Sequence, residues 1–416
     1  MVSSDALVDR IHETPHRGVI LTAGGGSGIF PLLMRRGGAS ATILDGGIPH
    51  GLKAVPRWLK LDEANPSRWP KAVSKEVARG LAMAAYYHAR SLNDNSPSFG
   101  VGCTVSLAKN NAERAGREHR VYAAVQTDSM THERWLIFPP NGNRLQEEEI
   151  VEKILLDLVA VACNIEDRCW QFDSDDGQYG SCYATATSCH HADLPSLLNN
   201  PSSHAYIVFK LKGSKKFPEG IPKKEFEDPA NQKRAILSAS FNPIHDGHRR
   251  MRAITSQRTG LPCHLELTLR NAAKLPLDYL SLQERLHSLR DETGFLIISN
   301  ASTFVDKAWL FPNTTFAVGH DTAMRIMDSK YYGSSSQSLE FMYQNLIDLD
   351  ASFLVFGRTT ADNTFQTIDP TEPSCFPESM SYKYWSKHCH VVPESEFRQD
   401  VSSTSIREAM TNGRRC

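Results

Sequence analysis

The stretch that most constrains this chain runs Ala235-Ile236-Leu237-Ser238-Ala239-Ser240-Phe241-Asn242-Pro243-Ile244-His245-Asp246-Gly247-His248. An apolar run suited to a buried strand meets Asn-Pro, a turn signal, and the residues from Gly247 to about Ala253 read as the start of a helix. His245 and His248 therefore sit at a strand-to-helix junction, spaced to face one bound group. Backbone N–H groups at a helix start lack intrahelical partners and favour an anion. The pattern predicts a phosphate site with two imidazoles beside it.

The region around this junction alternates strand and helix patterns, as a doubly wound α/β sheet requires. Strands are expected at 234–239, 264–269, 295–299, 315–319, 353–357 and 390–393, with helices following His248, Ser281, Thr322, Ser338 and Ser403. Ligands of such sheets bind beyond the carboxyl ends of the strands, where the winding switches direction. At 416 residues the chain exceeds one ordinary core, so two domains are expected: residues 1–165, a linker over 166–232, and 233–416.

With 22% charged residues and a formal net charge of −1, the composition does not describe a basic nucleic-acid binder. No apolar run approaches the ~18–20 residues that cross a bilayer, so no membrane partner is expected. Asp5, Asp9 and Glu13 suit neither a secretory nor a transit peptide, and a cytoplasmic protein is the expectation. Nine cysteines without paired spacing fit reduced thiols.

The junction resembles the H-x-G-H signature of the nucleotidyltransferase superfamily, and Ser-Phe-Asn-Pro-Ile-His-x-Gly-His is similar to the nicotinamide/nicotinate mononucleotide adenylyltransferase branch. Asp400-Val401-Ser402-Ser403-Thr404-Ser405-Ile406-Arg407 resembles that family's second signature, I-S-S-T-x-I-R, with Val401 in place of its first Ile. The resemblance implies a Rossmann-like fold and attack of a mononucleotide phosphate on the α-phosphorus of ATP. His245, His248 and Arg407 would be catalytic. Ser240, Phe241, Gly247, Ser402, Ser403 and Thr404 would hold ATP, and Mg²⁺ would be bound mainly through the ATP phosphates, with no protein metal ligand. Phe316-Ala317-Val318-Gly319-His320-Asp321-Thr322 is similar to the family's strand ending G-A-D, with His320 in place of a small residue. Gly319 and Asp321 are ATP-binding candidates on that ground. Arg358, ending another strand pattern, matches the family's pocket arginine or is a surface arginine, and Lys274 is a candidate for steering the acceptor phosphate.

Near the N-terminus, Val19-Ile20-Leu21 reads as a buried strand running into Thr22-Ala23-Gly24-Gly25-Gly26-Ser27-Gly28, with a helix expected over Ile29 to Met34. That glycine turn matches neither the P-loop nor the G-x-G-x-x-G spacing. Together with Gly38-Ala39-Ser40, Gly46-Gly47-Ile48-Pro49-His50 and Ala72 to Ala84, it resembles the C-terminal domain of the CinA proteins, whose active members are nicotinamide mononucleotide amidases. The last block is also an amphipathic helix by pattern, with Ser74 as N-cap. The family's nucleophile position falls on Ala23 or Gly24 and its lysine on Val55, unless a gap moves Lys53 there. With no hydroxyl at that position, a domain without amidase activity is expected, a rearranged Ser27–Lys53 pair being the alternative. A strand is expected over Arg120 to Gln126 and a helix over Gln146 to Ala162.

Within the linker, Ala205 to Leu211 could add a strand to either neighbour. Cys182, Cys189, His190 and His191 lack a standard zinc spacing. The resulting expectation is an enzyme that adenylylates a small phosphorylated acceptor, most simply a pyridine mononucleotide. Adenylyl or cytidylyl transfer to another acceptor, such as a pantetheine or sugar phosphate, and a non-catalytic nucleotide-binding scaffold are the alternatives. Oligomeric state, including a homo-oligomer, is left open by the sequence.

Overall fold

The computed structural model describes residues 1–63, 66–93, 96–108, 118–140, 142–170, 181–188, 193–199, 205–213, 219–222, 226, 233–270, 277–332, 336–360, 362–376 and 379–398. The chain is an α/β protein with two sheets in two compact units: Met1–Pro195 with Ala273–Ser281, and Ser196–Ala272 with Leu282–Cys416.

The first unit holds β1 (Arg17–Ala23), β2 (Ile43–Gly47), β3 (Ser98–Ser106), β4 (Arg120–Thr127), β5 (Met130–Ile137) and β6 (Ser181–Ser188), in the order β2-β1-β3-β4-β5-β6. β1 runs parallel to β2 and β3, and from β3 onward the neighbours are antiparallel. Its helices are α1 (Ser4–His12), α2 (Ile29–Met34), α3 (Ala39–Thr42), α4 (Ala54–Trp58), α5 (Lys75–Leu92) and α6 (Arg144–Ala162), and α7 (Leu194–Asn199) follows. Period-two alternation along β1 feeds two cores. Ile20 packs in the cluster containing Leu7, Ile11, Ile154 and Leu158, whereas Val19 and Leu21 join Val77, Leu81 and Ala85 of α5. Ser74 caps α5, its hydroxyl accepting from the Val77 N–H at 3.3 Å. The helix then runs past the expected Ala84 as far as Leu92.

Two glycines of β3 let α5 lie directly on the sheet. A Cβ on Gly100 would fall 2.0 Å from the Tyr86 nitrogen, and one on Gly102 would fall 2.3 Å from both the Ala78 oxygen and the Ala82 nitrogen. These obstacles are backbone atoms, which cannot rotate away.

The second unit holds β7 (Tyr206–Lys212), β8 (Glu219–Ile221), β9 (Arg234–Ser238), β10 (Cys263–Thr268), β11 (Thr293–Ser299), β12 (Thr314–Gly319), β13 (Ser352–Phe356) and β16 (Cys389–Val392), plus a short hairpin of β14 (Arg358–Thr359) and β15 (Phe365–Gln366). The large sheet is ordered β16-β13-β12-β9-β10-β11-β7-β8. The six strands from β16 to β11 are parallel, and β7 and β8 extend that edge antiparallel. All six strands expected from the sequence are present, each within two residues of its expected bounds. The helices are α8 (Asp246–Thr259), α9 (Tyr279–Ser288, whose first three residues belong to the first unit), α10 (Phe304–Leu310), α11 (His320–Ile326), α12 (Ser336–Asp348) and α13 (Ser379–His388). α8 begins where the sequence places a helix start and runs on to Thr259, with Met251, Ile254 and Thr255 on its buried side, and Gly260 ends it in the left-handed conformation at φ 69°. The helix expected after Ser403 lies outside the described residues. The stretch 166–232, read from the sequence as linker, supplies β6 to the first sheet and β7 and β8 to the second. Among the described residues no helix is long and apolar enough to cross a membrane.

Gly102→Val should destabilise the first unit by about 1–3 kcal/mol or prevent its folding. Gly37→Ala, whose Cβ would meet nothing within 4 Å, should be near neutral. Urea unfolding followed by circular dichroism reads both; equal stabilities would contradict the close helix–sheet contact.

Candidate functional site

β9 lies between β10 and β12, all parallel, so the winding reverses at β9 and the turns after β9, β12 and β13 leave from one sheet edge. That edge is where an open α/β sheet binds ligands. The turn after β9 is tightly specified. Phe241 is fully buried and takes a positive φ of 42°, a strained conformation for a bulky residue. The Arg285 guanidinium donates to the Ser240 carbonyl at 3.1 Å, and the Ala239 N–H donates to the Glu266 carbonyl at 3.2 Å.

His245 is the N-cap of α8 in extended conformation, and His248 stands at the third helical position. Their ring centroids are 3.9 Å apart, and the Phe241 ring meets His248 edge-on at 5.3 Å. The His245 backbone N–H donates to His248 Nδ1 at 3.3 Å. Acceptance at Nδ1 places the proton of a neutral His248 ring on Nε2, making that atom a donor. His245 Nδ1 is buried without a partner, and burial holds its imidazole below the ordinary value, opposed by Asp246. Gly247 is buried in the first turn of α8. The helix start is thus assembled with two imidazoles beside it.

The turn after β12 brings Gly319 and Asp321 to the same edge, and Asp321 forms an ion pair with Arg358, just past β13. These two predicted residues are therefore joined to each other, each side chain slightly over two-fifths exposed. Nothing described lies within 4 Å of the position a Gly319 Cβ would take. His320 resembles His245: its Nδ1 is buried without a partner, and burial lowers its pKa against the opposing Asp321. Ser402, Ser403, Thr404, Arg407 and Lys274 lie outside the described residues. Among the described residues no group of three or more His, Cys, Asp or Glu side chains is placed to hold a metal ion.

Sequence reasoning missed a buried ion pair behind this edge. Lys307 of α10 donates to Glu266 of β10 at 2.6 Å and also to the Thr268 hydroxyl, and Ser299 donates to the same carboxylate at 2.6 Å. Glu266 is 1% and Lys307 5% exposed. Burial works to raise the Glu266 carboxyl, but the Lys307 ammonium and the surrounding hydroxyls outweigh it and hold the group below its usual range. Glu266 is the Cα partner of Ser238, the last residue of β9, so the pair is anchored directly behind the histidine turn. The available signal was an acid inside the apolar strand His264-Leu265-Glu266-Leu267, which alternation alone assigns to a solvent face.

In the first unit the glycine turn is filled from within. The Gly26 N–H donates to the Glu148 carboxylate at 2.6 Å, and the Glu152 carboxylate crowds Gly28. An exogenous anion would have to displace a carboxylate of α6. Lys53 is 80% exposed and pairs with Glu63 at 3.7 Å, and no described hydrogen bond joins it to the exposed Ser27. Cys182 lies in β6, whereas Cys189, His190 and His191 lie outside the described residues.

No protein-family model matches the chain. It is 27% identical over 193 residues to a Schizosaccharomyces pombe protein named "Putative nicotinamide mononucleotide adenylyltransferase", a match covering 43% of this chain and 76% of that one. Among solved structures, the competence/damage inducible protein CihA of Agrobacterium tumefaciens aligns at 20% identity with a TM-score of 0.29, covering 39% of this chain and 96% of that chain. A competence-damaged (CinA) superfamily protein of Escherichia coli aligns at 15% identity with a TM-score of 0.28, covering 38% and 85%.

Removing one member of a buried pair strands the other charge. Lys307→Met should therefore lower stability by about 3–5 kcal/mol, and the double variant Glu266→Gln/Lys307→Met by clearly less. Urea unfolding of the wild type, Lys307→Met, Glu266→Gln and the double variant measures the coupling; strictly additive losses would show that the two groups do not depend on each other.

Proposed function

We propose that the second unit is a nucleotidyltransferase that moves the AMP group of ATP onto a small phosphorylated acceptor, with nicotinamide or nicotinate mononucleotide as the acceptor and pyrophosphate as the leaving group. The observation that carries the reading is the paired histidines at the start of α8, directly after the central strand β9. The distant similarity to the fission-yeast protein supports the same class of reaction.

An acceptor phosphate is already a nucleophilic anion, so no residue has to deprotonate it. Catalysis then consists of aligning two repelling anions and stabilising charge as it develops on the α-phosphate. The N–H groups of the first turn of α8 offer donors to the ATP phosphates. The Nε2–H of His248, set by the bond at its Nδ1, would donate to the α-phosphate as charge builds. A half-buried His245, its pKa lowered by that burial, would contribute hydrogen bonding rather than fixed charge. Mg²⁺ would arrive with the nucleotide as MgATP, held by phosphates and water. From sequence, Ser402, Ser403, Thr404 and Arg407 would engage the remaining phosphates, with Arg407 supplying fixed charge.

For the first unit we propose no amidase reaction. Ala23 and Gly24 carry no nucleophile, and the glycine turn is bonded to Glu148.

His248→Ala should lower the rate of dinucleotide formation by about two to three orders of magnitude in a protein that still folds, as expected for loss of one preorganised transition-state donor. Chromatographic assay of product from MgATP and each pyridine mononucleotide measures it. Undiminished turnover in a folded variant would remove the site assignment. If the wild-type protein instead adenylylates phosphopantetheine or a sugar phosphate, and neither pyridine mononucleotide, the acceptor is wrong and the transfer chemistry stands.

A further inference from the structure

The backbone that presents His248 is held from a different helix. Phe241, whose buried ring meets the His248 imidazole edge-on at 5.3 Å, takes a φ of 42°. A bulky residue keeps such a conformation only where its surroundings over-determine it. Two polar side chains of α9 stand at its flanking carbonyls. Arg285 Nε donates to the Ser240 oxygen at 3.1 Å, and the Ser288 hydroxyl lies 3.5 Å from the Phe241 oxygen. That hydroxyl has a closer acceptor in the Arg285 carbonyl at 2.8 Å, so the firm grip on the turn is that of the guanidinium. A charge-assisted bond of this kind is roughly twice as strong as a neutral one.

Arg285 is itself well placed to hold something still. Leu282, Leu286 and Leu289 bury the adjoining stripe of α9, and the guanidinium projects from a helix fixed in the core. On the other side of the bond, His248 is oriented by groups of the same turn. The Phe241 ring lies against it, and the His245 N–H donates to its Nδ1 at 3.3 Å. The Ser240 carbonyl, the Phe241 ring and the His245 N–H all belong to the short connection between β9 and α8. A shift at its start is therefore passed to the imidazole at its end.

We propose that Arg285 is a positioning residue for the transfer reaction: by holding the Ser240 carbonyl it keeps the turn in the conformation that leaves His248 Nε2 as an aimed donor. The inference rests on the adenylyl-transfer reading for the reaction it serves. Arg285 acts through His248 rather than on either substrate, so its loss falls on kcat and matters only while His248 is present.

The test uses the full chain as wild type, Arg285→Met, which keeps an apolar stem without a donor, Arg285→Lys, which restores a charged donor, His248→Ala, and the double variant Arg285→Met/His248→Ala. Arg285→Met should lower kcat about ten- to a hundredfold, the scale of a small misplacement of a catalytic group. Its KM for MgATP and for the pyridine mononucleotide should stay within about twofold, and Arg285→Lys should recover most of the rate. In the His248→Ala background, adding Arg285→Met should cost less than about twofold. The same loss in both backgrounds, a rise in either KM in place of the fall in kcat, or an unchanged kcat in a folded Arg285→Met would overturn the proposal.

A second readout does not depend on turnover. Proteins carrying ¹⁵N-labelled histidine are compared by NMR at a pH well above the ordinary imidazole range, and the signal missing from His248→Ala identifies His248. The wild type should show its Nε2–H tautomer, and Arg285→Met a mixture of both tautomers, with the signal of His88, which pairs with Asp45 in the first unit, unmoved. An unaltered His248 signal in Arg285→Met would overturn the proposal. If Arg285→Met does not fold, Arg285→Gln takes its place in both measurements with the same outcomes. A wild-type protein that transfers nothing would end the adenylyl-transfer reading, and the His248 spectrum would still judge whether Arg285 holds that ring.

Discussion

The second unit depends on the parallel pairing of β9 with a neighbour on each side. Ala235, Ile236 and Leu237 are fully buried, and β9 is bonded to β10 along one edge and to β12 along the other. Because the strands are parallel, each connection must leave at the carboxyl edge and return behind the sheet. The turns that carry His245, His320 and Arg358 are gathered at one place for that reason. The order β11-β10-β9-β12-β13-β16 puts the reversal of winding between β9 and β12.

What steadies that edge is largely uncharged or mutually neutralised. Phe241 is locked in a positive-φ turn by burial of its ring against His248, while Arg285 ties down the carbonyl before it. Behind them the Glu266–Lys307 pair is enclosed by Thr268 and Ser299. A buried pair of this kind is poor value as a source of stability compared with apolar side chains, yet it fixes geometry strongly once all its hydrogen bonds are made. The strands β9, β10 and β11 end around it, so displacement of either charge would be felt where the histidine turn begins.

Much of this was legible in the residues. The six parallel strands announced themselves as apolar runs, and the positions of His245 and His248 at a strand-to-helix junction followed from Asn242-Pro243 and the helical pattern beyond. The extra strands were harder to read. β7 was visible as the apolar run Ala205 to Leu211, but nothing local chooses which sheet such a strand joins; its antiparallel partner β11 lies more than eighty residues away in sequence. The Glu266–Lys307 pair was hidden for a similar reason. Each residue taken alone looks like an ordinary surface charge, and only tertiary packing brings them together. The occupant of the glycine turn after β1 was hidden in the same way, because Glu148 is supplied by a helix 122 residues away.

Adenylyl transfer at the edge beside β9, as proposed, is tested most directly by following the α-phosphorus of ATP. Purified full-length protein is incubated with Mg²⁺, nicotinamide or nicotinate mononucleotide and ATP carrying a label at the α-phosphate, and the products are separated and identified by mass. The label should appear in an adenine dinucleotide, with one unlabelled pyrophosphate released per dinucleotide. Label recovered only in unreacted ATP, or in AMP or ADP with no adenylylated acceptor, would contradict it.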